Sequence, residues 1–299
     1  MDEPYLIITT SAGVFHLKPS LSKPELILSS NVSCKSGPRG ELGFFGVAGI
    51  PGTNRVLIAE RFKRKKYLFW KKDRTVLHAF DTRMGKFLRR TIVEDCGDVH
   101  QITCTDKAVF LTDTAKNRVV VLSLENMDCI GALNFGPLRK DVNHINAVTT
   151  YKNTLYVNLN NRGLYESSIV SIPLLKIENL IKLDDINGFV SERKLRSVTH
   201  SHDLQIVENV LYSSDSKRGF VFNVRTEHPI VETVGWVRGL DSDGRYLYVG
   251  ISKKATRDQR HRKSLTGWVE KYDLHTKQKI ETFKIPGCGQ VNDIFLYRK

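Results

Sequence analysis

Long apolar runs are missing from this chain: no stretch approaches the roughly 18 consecutive apolar residues of a membrane-crossing helix. Paired cysteines are missing too. The five cysteines, Cys34, Cys96, Cys104, Cys129 and Cys288, are odd in number, widely spaced and never arranged as CxxC. That pattern argues against a disulfide framework and for reduced thiols in a cytoplasmic protein. The opening residues, Met1-Asp2-Glu3-Pro4, lack the basic segment and cleavage site of a secretory leader. Catalytic signatures are equally scarce. There is no GxxxxGK[ST] loop, no GxGxxG after a strand, no GxSxG elbow and no HExxH, which excludes the common nucleotide-binding, elbow-hydrolase and zincin classes. Acidic residues are outnumbered: 46 Lys and Arg against 32 Asp and Glu leave a net charge of +14. Such a balance favours acidic small molecules, polyanions or anionic membrane surfaces as partners, through long-range attraction.

Helical periodicity is nearly absent as well. One short helix is expected, within the region Pro173 to Leu183. What the chain has in quantity is short β-branched or aromatic runs bounded by Gly, Asn or Asp, such as Val119-Val120-Val121-Leu122 and Phe220-Val221-Phe222-Asn223-Val224. Stacked against one another, these runs repeat. His100-Gln101-Ile102 precedes Ala108 to Asp113, and Asn146-Ala147-Val148 precedes Leu155-Tyr156-Val157. In the same way His202-Asp203-Leu204 precedes Val210-Leu211-Tyr212, and Arg238-Gly239-Leu240 precedes Tyr246 to Gly250. Gly46-Val47-Ala48, followed by Arg55 to Ile58, is a weaker copy. An interval of about 35 to 55 residues is that of propeller blades. Asn292-Asp293-Ile294 opens a last unit that ends after one strand, and the N-terminal runs Tyr5–Ile8, Gly13–Leu17 and Glu25–Leu28 are the three strands it lacks. Joining them removes an exposed sheet edge. The expectation is an all-β fold: residues 1–299 as one domain, a six-bladed β-propeller closed by one C-terminal and three N-terminal strands.

In a propeller, the first strand of each blade lines the central channel. The repeat therefore places Gly46, His100, Asn146, His202, Arg238 and Asn292 in one ring at a channel mouth. Asp98, His144, His200, Trp236 and Gln290, two positions earlier, sit just above it. Four of nine histidines fall at equivalent points near one axis. Imidazole titrates near neutrality, and its neutral form binds transition metals. His100, His144 and His200 are thus candidate acid–base residues, or ligands of a divalent metal such as Zn²⁺; ordinary buried channel histidines are the alternative. Arg238 suits a bidentate clamp on a carboxylate, sulfate or phosphate, or a salt bridge to Asp241 or Asp293. The loops after the second strands carry Arg61 to Lys66, Lys116-Asn117-Arg118, Asn161-Arg162, Lys217-Arg218 and Lys253 to Lys263, a basic collar for the same mouth. Asn146, His202, Asn292 and Lys253 join Arg238 as candidate substrate-binding residues. The run Lys65 to Lys72 interleaves aromatic and basic residues as single-strand nucleic-acid binders do, although a hydrophobic strand with basic flanks is the favoured reading.

Asp98-Val99-His100, His144-Ile145-Asn146, His200-Ser201, Val237 to Leu240 with Leu247 to Lys253, and Val291 to Phe295 together resemble an uncharacterised bacterial β-propeller family, known only as a domain of unknown function. The likeness covers about the C-terminal two thirds. His202 stands where that family's pattern has proline, which makes it a weaker candidate than His100, His144 and His200. The wider group implied is the lactonase, strictosidine-synthase-like and NHL-type propellers, including the zinc-dependent lyase that completes peptide amidation. On this reading the protein is an enzyme of lyase, hydrolase or isomerase type acting on an anionic small molecule or acidic sugar, with a metal as one option. The competing reading is a non-catalytic platform for RNA or an acidic protein. The sequence carries no indication of oligomeric state.

Overall fold

Strand-forming runs become blades because the inner and middle strands bury their side chains against neighbouring blades. The structure, a computed structural model, describes residues 3–29, 43–62, 74–136, 141–177, 194–197, 200–256, 259, 262 and 264–298. Among them are twenty-four strands in six four-stranded antiparallel sheets. β1 (Tyr5–Thr10), β2 (Gly13–Leu17) and β3 (Glu25–Ser29) share a sheet with the last strand, β24 (Val291–Tyr297). The next sheet holds β4 (Gly43–Gly49), β5 (Arg55–Phe62), β6 (Arg74–Asp81) and β7 (Lys86–Glu94). Then come β8 (Ile102–Cys104), β9 (Ala108–Asp113), β10 (Arg118–Ser123) and β11 (Cys129–Asn134). The fourth sheet is β12 (Ile145–Tyr151), β13 (Thr154–Leu159), β14 (Ser167–Pro173) and β15 (Lys194–Ser197). The fifth is β16 (Ser201–Val207), β17 (Val210–Asp215), β18 (Phe220–Asn223) and β19 (Pro229–Glu232). The sixth is β20 (Trp236–Ser242), β21 (Tyr246–Ser252), β22 (Gly267–Asp273) and β23 (Lys279–Ile285).

This is the expected six-bladed propeller. β24, β4, β8, β12, β16 and β20 contact one another in succession and line the channel. Closure is as expected: β24 pairs with β1, Leu6 opposite Leu296 and Ile8 opposite Ile294. Among the described residues the apolar core is divided into six clusters, one at each junction between adjacent blades. At one junction Phe110, Val119 and Val121 meet Ile145, Val148 and Val157. At the closing junction Ile7 and Val14 meet Phe44, Val47 and Ile58. Burying each such side chain contributes about 1.5–3 kcal/mol. Outer strands face water instead, and β7, Lys-Phe-Leu-Arg-Arg-Thr-Ile-Val-Glu, is mostly exposed. Of the region where a helix is expected, residues 174–177 are helical and residues 178–183 lie outside the described residues.

Inner strands are too short of ladder partners on their channel side to satisfy every backbone group, and side chains make up the deficit. Asp203 Oδ2 accepts from the Gly239 amide at 2.8 Å, and Asp241 Oδ2 from the Leu296 amide at 2.6 Å. Asp293 Oδ2 accepts from the Val47 amide and Gln101 Oε1 from the Val148 amide, each at 3.1 Å. Each of these ties reaches from one inner strand to the next. Replacing Asp293 by Ala would also strip the Ile294 amide of its acceptor, Asp293 Oδ1 at 2.9 Å. With two buried donors orphaned, Asp293→Ala is expected to lower the unfolding free energy by roughly 2–4 kcal/mol, measured by denaturant titration. A loss below about 0.5 kcal/mol, within the range of an ordinary surface substitution, would show that the ties are dispensable.

Candidate functional site

Side chains reach the channel mouth because the inner strands are bulged where they begin. The register slips at Phe44/Val47, Ile145/Ala147, His202/Leu204 and Val237/Leu240, and opposite Asn292 in the closing blade. A bulge bends its strand and re-aims the extra side chain. The inserted residues include Asn146, Asp203, Arg238 and Asn292. In the β8 blade the amides of His100 and Gln101 both bond the Thr112 hydroxyl instead of continuing the ladder, at 2.9 and 3.2 Å. Just before these points, Asp98, His144 and His200 share a left-handed backbone, with φ of 59°, 49° and 61°. Such a conformation costs an L-residue about 1 kcal/mol or more, and Asp and His bear it better than most. Its recurrence in three adjacent blades turns three polar side chains toward one opening.

That opening is a cavity of about 360 Å³, whose wall includes Arg61, His100, His144, His200, His202 and Arg238. Asp98, Asp141, Asn146, Asn160, Arg162, Ser216 and Trp236 complete it. His100 stands at the centre of a histidine cluster, its ring centroid 5.6 Å from that of His144 and 5.3 Å from that of His202, both edge-on. Asp141 Oδ2 lies 2.8 Å from His144 Nδ1, and Asp203 Oδ1 lies 3.1 Å from His202 Nδ1. Arg61 lies over the Phe45 ring at 3.5 Å and pairs with Asp98 at 2.9 Å. The Gln290 amide oxygen accepts from Arg238 Nη1 at 2.8 Å and Nε at 2.9 Å. This contact orients the guanidinium. His200 stands at the rim over Gly163, where a Cβ would fall 2.0 Å from its ring.

Burial first, and then the positive charge of Arg61, hold the His100 imidazole well below its ordinary pKa; His202, His144 and Arg238 add to the effect. His202 is lowered mainly by burial and further by Arg238, against the opposing pull of Asp203. His200 is lowered by burial and by Lys217. These imidazoles therefore rest neutral. Among the described residues, His100 Nδ1, His202 Nε2 and the Ser216 hydroxyl are buried without a hydrogen-bond partner, the condition of a site shaped for something that would satisfy them.

The structure brings His100, His144, His200, His202, Asn146 and Arg238 to one cavity. Two expected contributors lie elsewhere. Asn292 is buried in the channel wall, donating to the Phe44 carbonyl at 2.7 Å, and Lys253 is exposed; neither lines the cavity. Within the histidine set the ranking changes: His202 packs against His100, and His200 is peripheral. The metal expectation does not fit: among the described residues no three His, Cys, Asp or Glu side chains are placed to hold an ion, and fixed guanidiniums at the wall add like charge. Asp141, Asp203, Asn160 and Ser216 were not foreseen; only the adjacency of Asp203 to His202 pointed to any of them. The aromatic-basic run at 65–72 and residues 257–258, 260–261 and 263 of the last basic loop lie outside the described residues. A larger cavity, about 920 Å³, opens at the hairpins Thr105–Lys107 and Lys152–Asn153 on the other face, but its wall is of mixed polarity and gathers no histidine.

No protein-family model and no curated protein sequence matches the chain. Its likeness is to solved structures. A chain of the nidogen–laminin complex is 14% identical over 98% of each chain, with a TM-score of 0.64. A protein of unknown function from Bacteroides caccae is 10% identical over the full length of both, also at 0.64. A Bacteroides fragilis protein provisionally named a 6-phosphogluconolactonase is 12% identical over 99% of each, at 0.59. At these identities the likeness shows the fold alone.

The depressed histidines set a pH response. Their folded pKa lies below the unfolded 6.5, so the unfolded chain takes up protons first as pH falls. Their contribution is intact above 6.5, begins to be lost as pH falls through 6.5, and is fully lost below the folded value. Asp241, raised to about 7, and Asp113, raised to about 6, act oppositely, being most stabilising when protonated. The histidine part is isolated by difference: between pH 7.5 and 5.5 the wild type is expected to lose more thermal stability than a His100→Gln/His202→Gln double variant. Parallel melting-temperature profiles would show that these rings are not held neutral by the fold.

Proposed function

We propose that the channel-mouth cavity binds an anionic small molecule, an acidic sugar being the best match, and that the protein is an enzyme acting on it. The observation that carries this reading is the set of buried, unpartnered groups beside a cation: His100 Nδ1, His202 Nε2 and Ser216 Oγ in the wall that Arg238 shares. A carboxylate entering there would gain a charge-assisted bond from Arg238, while sugar hydroxyls would satisfy the orphaned ring nitrogens. The surrounding protein is already organised, so little ordering is left for binding to drive.

The polyanion-platform reading is weaker on the described residues. Much of the basic collar is already paired: Lys116 and Arg118 with Asp95, Arg118 also with Asp113 at 2.8 Å, and Arg218 with Asp215 at 2.6 Å. The proposal keeps the likeness to the uncharacterised bacterial propeller family and a cytoplasmic location, which suits the free thiols Cys96, Cys104, Cys129 and Cys288. No helix among the described residues is long and apolar enough to cross a membrane. The reading uses no metal.

D-glucuronate serves as the probe, because its charge is constant from pH 6 to 8. Calorimetry is expected to show saturable binding to the wild type. Arg238→Gln is expected to weaken it by about ten- to a hundredfold, the worth of one hydrogen bond to a charged group. Binding that is unchanged in Arg238→Gln would remove the cavity from consideration. If the protein is instead a polyanion platform, glucuronate will not bind, while a single-stranded RNA will bind with a steep salt dependence that survives Arg238→Gln.

A further inference from the structure

The cavity holds two histidine–aspartate pairs in unlike surroundings. Asp203 cannot turn away from His202. Its Oδ2 is held by the Gly239 amide at 2.8 Å and the Ser214 hydroxyl at 3.2 Å, which fixes Oδ1 at His202 Nδ1. A carboxylate only accepts, so Nδ1 must donate, and in a neutral ring Nε2 is then left with its lone pair. That is the atom buried without a partner. His144 is arranged alike, Nδ1 against Asp141 Oδ2 at 2.8 Å, but the pair is about a quarter exposed, whereas His202 is 8% exposed. One ring is dry and rests neutral; the other is open to water. His100 lies between them, adjoining both.

Building on the binding reading above, we propose that His202 and His144 are a catalytic acid–base pair for proton transfer at carbon in a bound acidic sugar, His202 as base and His144 as acid. Two unequally solvated groups of one chemical type are how a single site separates the two roles. The C–H bond beside the substrate carboxylate breaks. Its proton goes to His202 Nε2, and its electron pair moves into the carboxylate clamped by Arg238. His144 acts from its imidazolium form: its Nε2 proton goes to a carboxylate oxygen and leaves the Nδ1–H tautomer facing Asp141, so the enediolate formed carries no added charge. The imidazolium of His202 is stabilised by Asp203, a positioning residue. Reversal returns a proton to carbon and needs no further reactant. This selects lyase or isomerase chemistry over hydrolysis.

The test combines a tautomer readout with isotope exchange, on the full chain. In ¹⁵N spectra of histidine-labelled protein at pH 8, His202 and His144 are expected as Nδ1–H tautomers, the minor form of free imidazole, and Asp203→Asn is expected to change the His202 pattern. An Nε2–H tautomer at His202 overturns the assignment. In D₂O with glucuronate, deuterium is expected at the carbon bearing the carboxylate. Measured at saturating glucuronate, so that a change in affinity does not account for the loss, His202→Gln is expected to reduce that exchange at least a hundredfold. Binding without exchange, or exchange that survives His202→Gln, overturns the acid–base pair and leaves the binding site standing. Absence of glucuronate binding overturns both.

Discussion

The ring stands on side-chain acceptors that cross from one inner strand to the amide of the next. Asp203, Asp241, Asp293 and Gln101 each make such a tie, and Asn146 and Asn292 add donors to the Ser201 and Phe44 carbonyls. Backbone groups facing a narrow channel have no room for another strand and little water, so a missing tie would leave buried donors unsatisfied. The six apolar clusters supply most of the favourable burial, but burial is not directional. The ties set which amide meets which side chain, and so the angle at which each blade opens on the axis.

The same bulges that free amides for these ties also build the cavity. In β12, β16 and β20 the inserted residues are Asn146, Asp203 and Arg238 with Gly239. Asn146 and Arg238 line the cavity, and Asp203 backs the His202 ring, so the wall and the site are one construction. Gly239 shows how tight this is: its φ is +79°, and a Cβ would sit 2.9 Å from the Asp293 backbone. Charge follows a related economy. Collar cations at Lys116, Arg118 and Arg218 meet carboxylates on their own blades or the loops beside them. Arg238 is oriented by the Gln290 amide deep in the mouth. A high net charge at the surface thus says less about the ligand than one well-placed guanidinium.

Much of this was legible before any coordinates. The repeat of a polar residue, a hydrophobe two later and a second strand about ten residues on located all six inner strands, because a propeller repeats one sheet and so repeats its pattern. The ring register placed His100, Asn146, His202 and Arg238 at one mouth. It also placed Asn292 and Lys253 there, where they do not line the cavity: five blades wall it and the closing blade, which carries Asn292, does not, whereas the register alone treats all six alike. His200 looked the stronger histidine and His202 the weaker, since a departure from a family pattern reads as loss of a role. Packing reverses that order, His202 against His100 and His200 over Gly163. Asp141 escaped notice because it lies in a connection with no repeat signal, and Asp203 because its side chain turns toward the site only through a one-residue bulge.

The sequence by itself determined the blade count, the closure and the set of polar residues offered to the channel, because these follow from periodicity and from the need to pair every strand edge. Only the tertiary structure decided which histidines meet, which carboxylate stands behind each ring and which cations line the cavity. Those outcomes turn on bulges and on contacts between residues tens of positions apart. A shift of one residue there sends a side chain from the cavity to the opposite face.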